Sequence, residues 1–256
     1  MRLPFAISIP HCSFSIPEPF RSSIALTQRE ILESTDLGAR EVFMPIPVRV
    51  ALWARWSRLV VDLNRDPLQR DAKGVIPEKD YFGRKVYIEE DYPGDEEVES
   101  RLKKYYWPYH NRLKEAIQDP EVKVLFDCHS LSSIGPSGSP DPLKWRKDVV
   151  LGNNGNPKGD PDPSLGKSTC SAETLQMIKG EFNRAGFSVS INHPYSGGFI
   201  TTHYGHELVK GGKMAVQIEI NQHLYLDNET LRLHRDKIAD IAKSFHEVFL
   251  GIAREI

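Results

Sequence analysis

The feature that most constrains this chain is a repeated pattern in which a short, apolar, β-branched run gives way to polar residues able to do chemistry. Phe5-Ala6-Ile7-Ser8-Ile9 ends in Pro10 and His11, Leu59-Val60-Val61 runs into Asp62-Leu63-Asn64-Arg65, and Val122-Lys123-Val124-Leu125-Phe126 ends in Asp127-Cys128-His129-Ser130. Runs this short and apolar read as buried strands. Val48-Arg49-Val50, Phe187 to Ile191 and Met214 to Ile220 add further strands. Helical segments lie between them. Thr27-Gln28-Arg29-Glu30 has capping-box spacing, and Asp95 to Gln118 repeats its apolar and aromatic residues at a helical period, with a kink expected at Pro108. Ser171 caps a helix running to Ala185, and Glu229 to Ile256 predicts a long closing helix. The stretch from Asp66 to Gly94 is rich in Pro, Gly and charge, with only Lys85-Val86-Tyr87-Ile88 ordered, and reads as a long excursion over the surface. Strands interleaved with helices predict one α/β domain over residues 1–256, its mixed, mostly parallel sheet covered by helices on both faces.

Composition narrows the function. Lys plus Arg number 33 against 35 for Asp plus Glu, so no basic excess draws nucleic acid or anionic lipid. No window approaches the roughly 20 apolar residues that span a bilayer, and the apolar stretch from Phe5 to Pro10 is too short for a signal peptide. A cytoplasmic protein with neither nucleic-acid nor membrane partner is expected. Cys12, Cys128 and Cys170 are sparse and odd in number, which fits a reducing compartment rather than a disulfide framework.

In open α/β sheets ligands gather beyond the carboxyl ends of the strands, so polar clusters recurring there are candidates for one shared site. A histidine after a strand, such as His11, is more often a hydrogen-bonded loop residue than a ligand. Asp127 and His129 share a face because side chains alternate along a strand. Asp127 is then placed to orient His129 as a partner behind a metal ligand, or the two form a structural pair. Gln217, Glu219 and Asn221 also alternate with Ile218 and Ile220. On an edge strand they would be solvated; under helices Glu219 is a buried carboxylate that needs a cation nearby, and so a general-base candidate. Arg65 offers a planar fork for a carboxylate, or a salt bridge to Asp62 or Asp66. Cys12 and Cys128 flank histidines without C-x-x-C spacing, and read as buried small hydrophobes rather than ligands.

Taken in order, Ser8-Ile9-Pro10-His11, Val61-Asp62-Leu63-Asn64-Arg65, Trp107-Pro108-Tyr109-His110, Phe126-Asp127-Cys128-His129-Ser130, Asn192-His193-Pro194-Tyr195-Ser196-Gly197-Gly198-Phe199 and Gln217-Ile218-Glu219-Ile220-Asn221 resemble the N-formylglutamate amidohydrolase family. That family is similar to the zinc carboxypeptidases and to the aspartoacylase and succinylglutamate desuccinylase enzymes. The resemblance implies a zinc-carboxypeptidase-like (phosphorylase/hydrolase-like) fold, one Zn2+ per chain, a small acylated amino acid as substrate and a place in histidine degradation. By it His11 and His129 are metal ligands, Glu219 is the general base, and Asn64 and Arg65 bind the substrate carboxylate. Tyr195, Gly198 and His203 are expected around the substrate; His203 and Tyr204, beside the Gly197-Gly198 turn, are placed to close over it if that turn is a hinge, the alternative being that its glycines simply permit a positive-φ turn. The carboxypeptidase pattern places a glutamate three positions after the first histidine, where this chain has Phe14, so the resemblance gives Asp36 as third ligand and Glu18 as the alternative. Two further departures bear on the substrate: Cys12-Ser13 stands where relatives commonly have Ser-Gly, and Thr201-Thr202 precedes His203 where they often have an arginine.

Overall fold

The computed structural model describes residues 2–256. In chain order its strands are β1 Leu3–Ile9, β2 Val48–Trp53, β3 Val124–Leu131, β4 Val149–Gly152, β5 Val189–Ile191, β6 Met214–Asn221, β7 Leu226–Asp227 and β8 Arg232–Leu233. Its helices are α1 Gln28–Glu33, α2 Ala39–Phe43, α3 Asp95–Arg101, α4 Trp107–Gln118, α5 Ala172–Arg184, α6 Phe199–Leu208 and α7 Arg235–Glu255. Six strands form one sheet in the order β2-β1-β3-β6-β4-β5. The first four are mutually parallel; β4 pairs antiparallel with β6 and parallel with β5. The expected mixed, mostly parallel sheet is therefore present.

Alternation along β1, β3 and β6 sets what each face does. Phe5, Ile7, Phe126, Cys128, Val216 and Ile218 turn into a core that also buries Phe43 of α2, Phe182 of α5 and Phe245 and Phe249 of α7. On the other face Ala6, Leu125 and Ala215 pack under Leu113 and Ile117 of α4 and Ile200, Tyr204 and Leu208 of α6. Helices thus cover both faces. Further along each strand the second face becomes polar, from Leu125 to Asp127 and His129 and from Ala215 to Gln217 and Glu219.

Several expectations are corrected. Leu59-Val60-Val61 is no strand: a Val60 N–H bond to Ser57 O and a Leu59 N–H bond to Ser57 Oγ fold it into turns, although all three residues are buried. Apolar periodicity reports burial, and three residues of it do not fix the backbone. They join a second core with Val75, Ile76, Val86, Tyr87, Val98 and Leu102, so the stretch 66–94 is irregular but packed rather than a surface excursion. Arg101, 1% exposed, binds this layer together by donating to Val60 O and the Tyr87 hydroxyl. The predicted helix from Asp95 to Gln118 is continuous but passes through a π-turn at Leu102–Tyr106, where Trp107 N–H reaches back to Leu102 O. A wide turn relieves the clash of the Pro108 ring with the preceding carbonyls, so proline widens the helix instead of breaking it. The closing helix starts at Arg235, six residues late, because Leu226–Asp227 and Arg232–Leu233 pair as a ribbon. The capping box at Thr27 and the Ser171 cap are both formed.

Candidate active site and metal centre

His11 leaves the end of β1, Asp36 follows α1, and His129 lies on β3. One ligand atom from each lies within 4.8 Å of the others, and all three residues are buried. His129 Nδ1 is 3.0 Å and His11 Nδ1 3.9 Å from Asp36 Oδ2. Behind the histidines stand two more carboxylates: His11 Nε2 donates to Asp62 Oδ1 at 2.7 Å, and His129 Nε2 lies 3.2 Å from Asp127 Oδ1. A carboxylate at Nε2 keeps a proton on that atom, so Nδ1, on the side of Asp36, is the nitrogen each ring can offer a metal, the usual way a metal-binding imidazole is oriented. Asp62 is itself held by Arg58, whose Nε and Nη2 donate to Oδ2. The salt bridge considered between Asp62 and Arg65 is made by Arg58 instead.

Glu219 is the register partner of His129 across the β3–β6 ladder, so the two side chains stand side by side on one face. β6 is an interior strand, which leaves Glu219 only 8% exposed. Burial pushes its carboxyl up to about 8, His129 opposes this, and the Asp36 and Asp127 carboxylates add to it. Gln217 Nε2 donates to Glu219 Oε1 at 3.0 Å.

The electrostatics of the cluster call for a cation. Burial and the Arg58 guanidinium hold His11 below the ordinary histidine range, as a neutral ligand requires. Burial alone would do the same to His129, but Asp127, Asp36 and Glu219 outweigh it and hold the ring well above that range. The imidazolium is the nearest positive charge for crowded carboxylates. Two imidazoles and a carboxylate form a donor set suited to a divalent ion such as zinc, which would take over that charge as the proton leaves. The His-Asp-His cluster can hold a metal ion, and its residues fit one.

The cluster opens into a cavity of about 300 Å³ lined also by Arg58, Arg65, Arg146, Tyr81 and Tyr195. The sequence-derived residues distribute unevenly around it. Arg65 lines the cavity, with Nε and Nη1 bonded to Lys73 O and Asn64 O and no carboxylate partner among the described residues. Asn64 lines it too, but its polar atoms serve the protein: Nδ2 meets Asp127 Oδ2 at 3.1 Å and His129 Nε2 at 3.0 Å, and Oδ1 accepts from Ile200 N–H at 2.7 Å. Tyr195 faces the cavity, and Gly198, capping α6, donates its N–H to Gln217 Oε1. Gly198 approaches Asn64 so closely that a Cβ would sit 2.4 Å from Nδ2. His203 is not brought to the cavity. It sits more than a turn into α6 on the exposed side, stacked on Phe199, and Tyr204 is buried against His110 Nδ1. Glu18 lies exposed at a 3-10 turn away from the cluster, leaving Asp36 beside the histidines. Cys12 is not among the cluster; its thiol, pushed by burial up to about 12, donates to Ile9 O.

Sequence reasoning missed Arg58, Tyr81 and Arg146. Arg58 carried one signal, its four-residue spacing to Asp62. Tyr81 and Arg146 come from irregular segments without periodicity, and only tertiary packing brings them in.

A family model described as N-formylglutamate amidohydrolase matches residues 3–226. The chain is 28% identical over 258 residues to N-formylglutamate deformylase of Pseudomonas putida, covering 93% of this chain and 87% of that protein. The corresponding Pseudomonas aeruginosa enzyme is 28% identical over 254 residues, covering 95% and 90%. The crystal structure of N-formylglutamate amidohydrolase from Ralstonia eutropha JMP134 superposes over 100% of this chain and 94% of its own, with a TM-score of 0.73 at 20% identity. An Agrobacterium tumefaciens gene product superposes over 98% of this chain and 90% of its own, with a TM-score of 0.69 at 20% identity. The match to the family model over most of the chain shows that this protein belongs to the N-formylglutamate amidohydrolase family.

Proposed function

We propose that the protein hydrolyses the amide bond of N-formyl-L-glutamate, giving formate and L-glutamate, with one zinc ion held by His11, Asp36 and His129. The observation that carries this reading is the buried His-Asp-His cluster beside Glu219 at the floor of a small cavity, in a chain whose curated relatives are named N-formylglutamate deformylase. When bound, such an ion supplies a water of pKa about 7 and polarises the substrate carbonyl.

The chain's own residues do the rest. Asp62 and Asp127 keep His11 and His129 in the required tautomer. Glu219 takes a proton from the attacking water as the new C–O bond forms, and delivers it to the amine nitrogen as the C–N bond breaks. Its Oε1 is held by Gln217, which sets the direction of the carboxyl. Arg65, which has no acidic partner among the described residues, grips a carboxylate of the amino acid and fixes the scissile amide over the cluster, making attack effectively intramolecular. Asn64, which donates to Asp127 Oδ2 and accepts from the Ile200 N–H, acts here as a positioning residue more than as a substrate contact.

A small-molecule substrate is in keeping with the names of the relatives, and a cytoplasmic, reducing setting with the three free cysteines; among the described residues no helix is long and apolar enough to cross a membrane. The test is formate release from N-formyl-L-glutamate before chelation, after it, and after metal is restored, together with elemental analysis. About one zinc per chain with chelator-sensitive formate release supports the reading. Metal without formate release turns the search to other acylated amino acids, and no metal binding even after reconstitution sinks the mechanism.

A further inference from the structure

We propose that Tyr81, carried into the cavity by the irregular segment 66–94, works with Tyr195 to select substrates whose side chain ends in an oxygen acceptor, a carboxylate or carboxamide. The inference deepens the amide-hydrolase reading above and rests on it. Tyr81 and Tyr195 line the same cavity as the His-Asp-His cluster, and their rings meet edge-on at 6.3 Å. Beneath them lies Arg146, only 3% exposed. Its Nε and Nη2 donate to the two oxygens of Asp141 at 2.9 and 2.6 Å, and the second Nη2 proton is shared between the Tyr195 hydroxyl at 3.1 Å and the Tyr81 hydroxyl at 3.4 Å.

A guanidinium only donates hydrogen bonds. Each phenol oxygen facing Arg146 therefore accepts, and keeps its own proton to give to something in the cavity. The charge of Arg146 is already balanced by Asp141, as that of Arg58 is by Asp62, so neither arginine offers a free positive charge to the substrate. The wall is a pair of aligned neutral donors. Such a wall rejects an apolar chain end, which would leave two donors unpaired, more strongly than it separates carboxylate from carboxamide. Arg65 is left for the one carboxylate common to every acylated amino acid.

Tyr81 is held in place, although its segment lacks regular structure. Asp80 Oδ1 accepts from the Phe82 and Arg84 N–H groups, and Oδ2 from Arg84 Nε and the Ser34 hydroxyl. Arg84 also pairs with Glu33. The turn bearing Tyr81 is thereby fastened to Glu33 and Ser34 at the end of α1, three and two residues before Asp36, so selection and the metal cluster share one support.

The test compares wild type, Tyr81→Phe and Tyr195→Phe as metal-loaded enzymes, measuring kcat and KM for formate release from N-formyl-L-glutamate, N-formyl-L-glutamine and the apolar N-formyl-L-norvaline. Phenylalanine keeps the ring packing, and thermal melting checks that each variant folds. In each variant the kcat/KM preference for the glutamate and glutamine derivatives over the norvaline derivative should fall about five- to tenfold, mainly through KM, as expected for one lost hydrogen bond. An unchanged preference in folded variants, including a uniform loss on all three substrates, overturns the inference and leaves the hydrolase reading intact. A wild-type enzyme that releases formate from none of the three overturns both.

Discussion

Glu219 is pulled in two directions, and the pull can be measured. Among carboxylates and out of water it holds its proton up to about pH 8, whereas a base must give the proton up. In Glu219→Gln the side chain keeps its volume and its place beside Gln217 but cannot carry a proton, so metal content should stay near wild type while formate release falls on the order of 10²- to 10⁴-fold. Near-wild-type activity would remove Glu219 from the mechanism. The same shift makes a stability prediction for metal-free protein. Between the carboxyl's unfolded value of 4.5 and about 8, the folded chain binds a proton that the unfolded chain has released, so Glu219 makes stability fall as pH rises across that window. Denaturant unfolding of metal-free wild type and Glu219→Gln should show the variant with the flatter pH profile. Asp62 has the opposite sign: the Arg58 guanidinium and His11 overcome its burial and hold it well below 3.8, so its contribution is present above that value and is lost only as pH falls through the lower folded value.

The N-terminus of α6 is where backbone and site meet. Gly198 there sits against Asn64, whose amide is fixed on both sides by Asp127 Oδ2 and the Ile200 N–H, so it cannot yield to a new methyl group. Gly198→Ala should therefore cost about 1–3 kcal/mol in denaturant unfolding and lower formate release together with it. Gly180→Ala, inside α5 with nothing within 4 Å, should instead stabilise by about 1 kcal/mol. A stable, fully active Gly198→Ala protein would show that Asn64 does not need its present position. Elements like these also mark what sequence reading reaches. β3 and β6 were legible because each begins as an apolar run and ends in alternating polar residues, which gave the common face of Asp127 and His129 and that of Gln217, Glu219 and Asn221; that the two faces are one came only from the β3–β6 register. β4 was not, since Val149–Gly152 is four residues long and lies in the sheet only through pairing with β6 and β5. α6 was hidden for a different reason: Thr201, Thr202, His203 and Gly205 give it little helical periodicity, and its register comes from packing on β6. His203 was misplaced in consequence, because without the helix there was nothing to turn it outward.

At the scale of the molecule, the site joins two bodies of packing that share few side chains. One is the sheet with its helices, which supplies His129, Glu219 and Asp127. The other is the second core, spread from Ile16 to Tyr106 and built largely from irregular chain. Asp62 follows Leu59-Val60-Val61 of that core, and Asp36 follows α1, whose Ile31 is part of it. A metal bound by His11, Asp36 and His129 would clamp the second body to the first, so its binding energy should appear as stability. Free metal at about a thousand times its dissociation constant contributes about 4 kcal/mol, and for a chain of this size chelation should lower Tm on the order of 10 °C, reversibly. Asp36→Asn should lose most of that metal-linked shift. The location of the loss is the sharper test. Hydrogen exchange on chelated protein should speed up mainly in residues 57–92, where few amides belong to strands or helices, and much less in β3 and β6, whose amides are paired within the sheet. Equal acceleration in both bodies would mean that the metal stabilises the fold as a whole; no acceleration in either would mean that the site is preformed and that the second core stands without it.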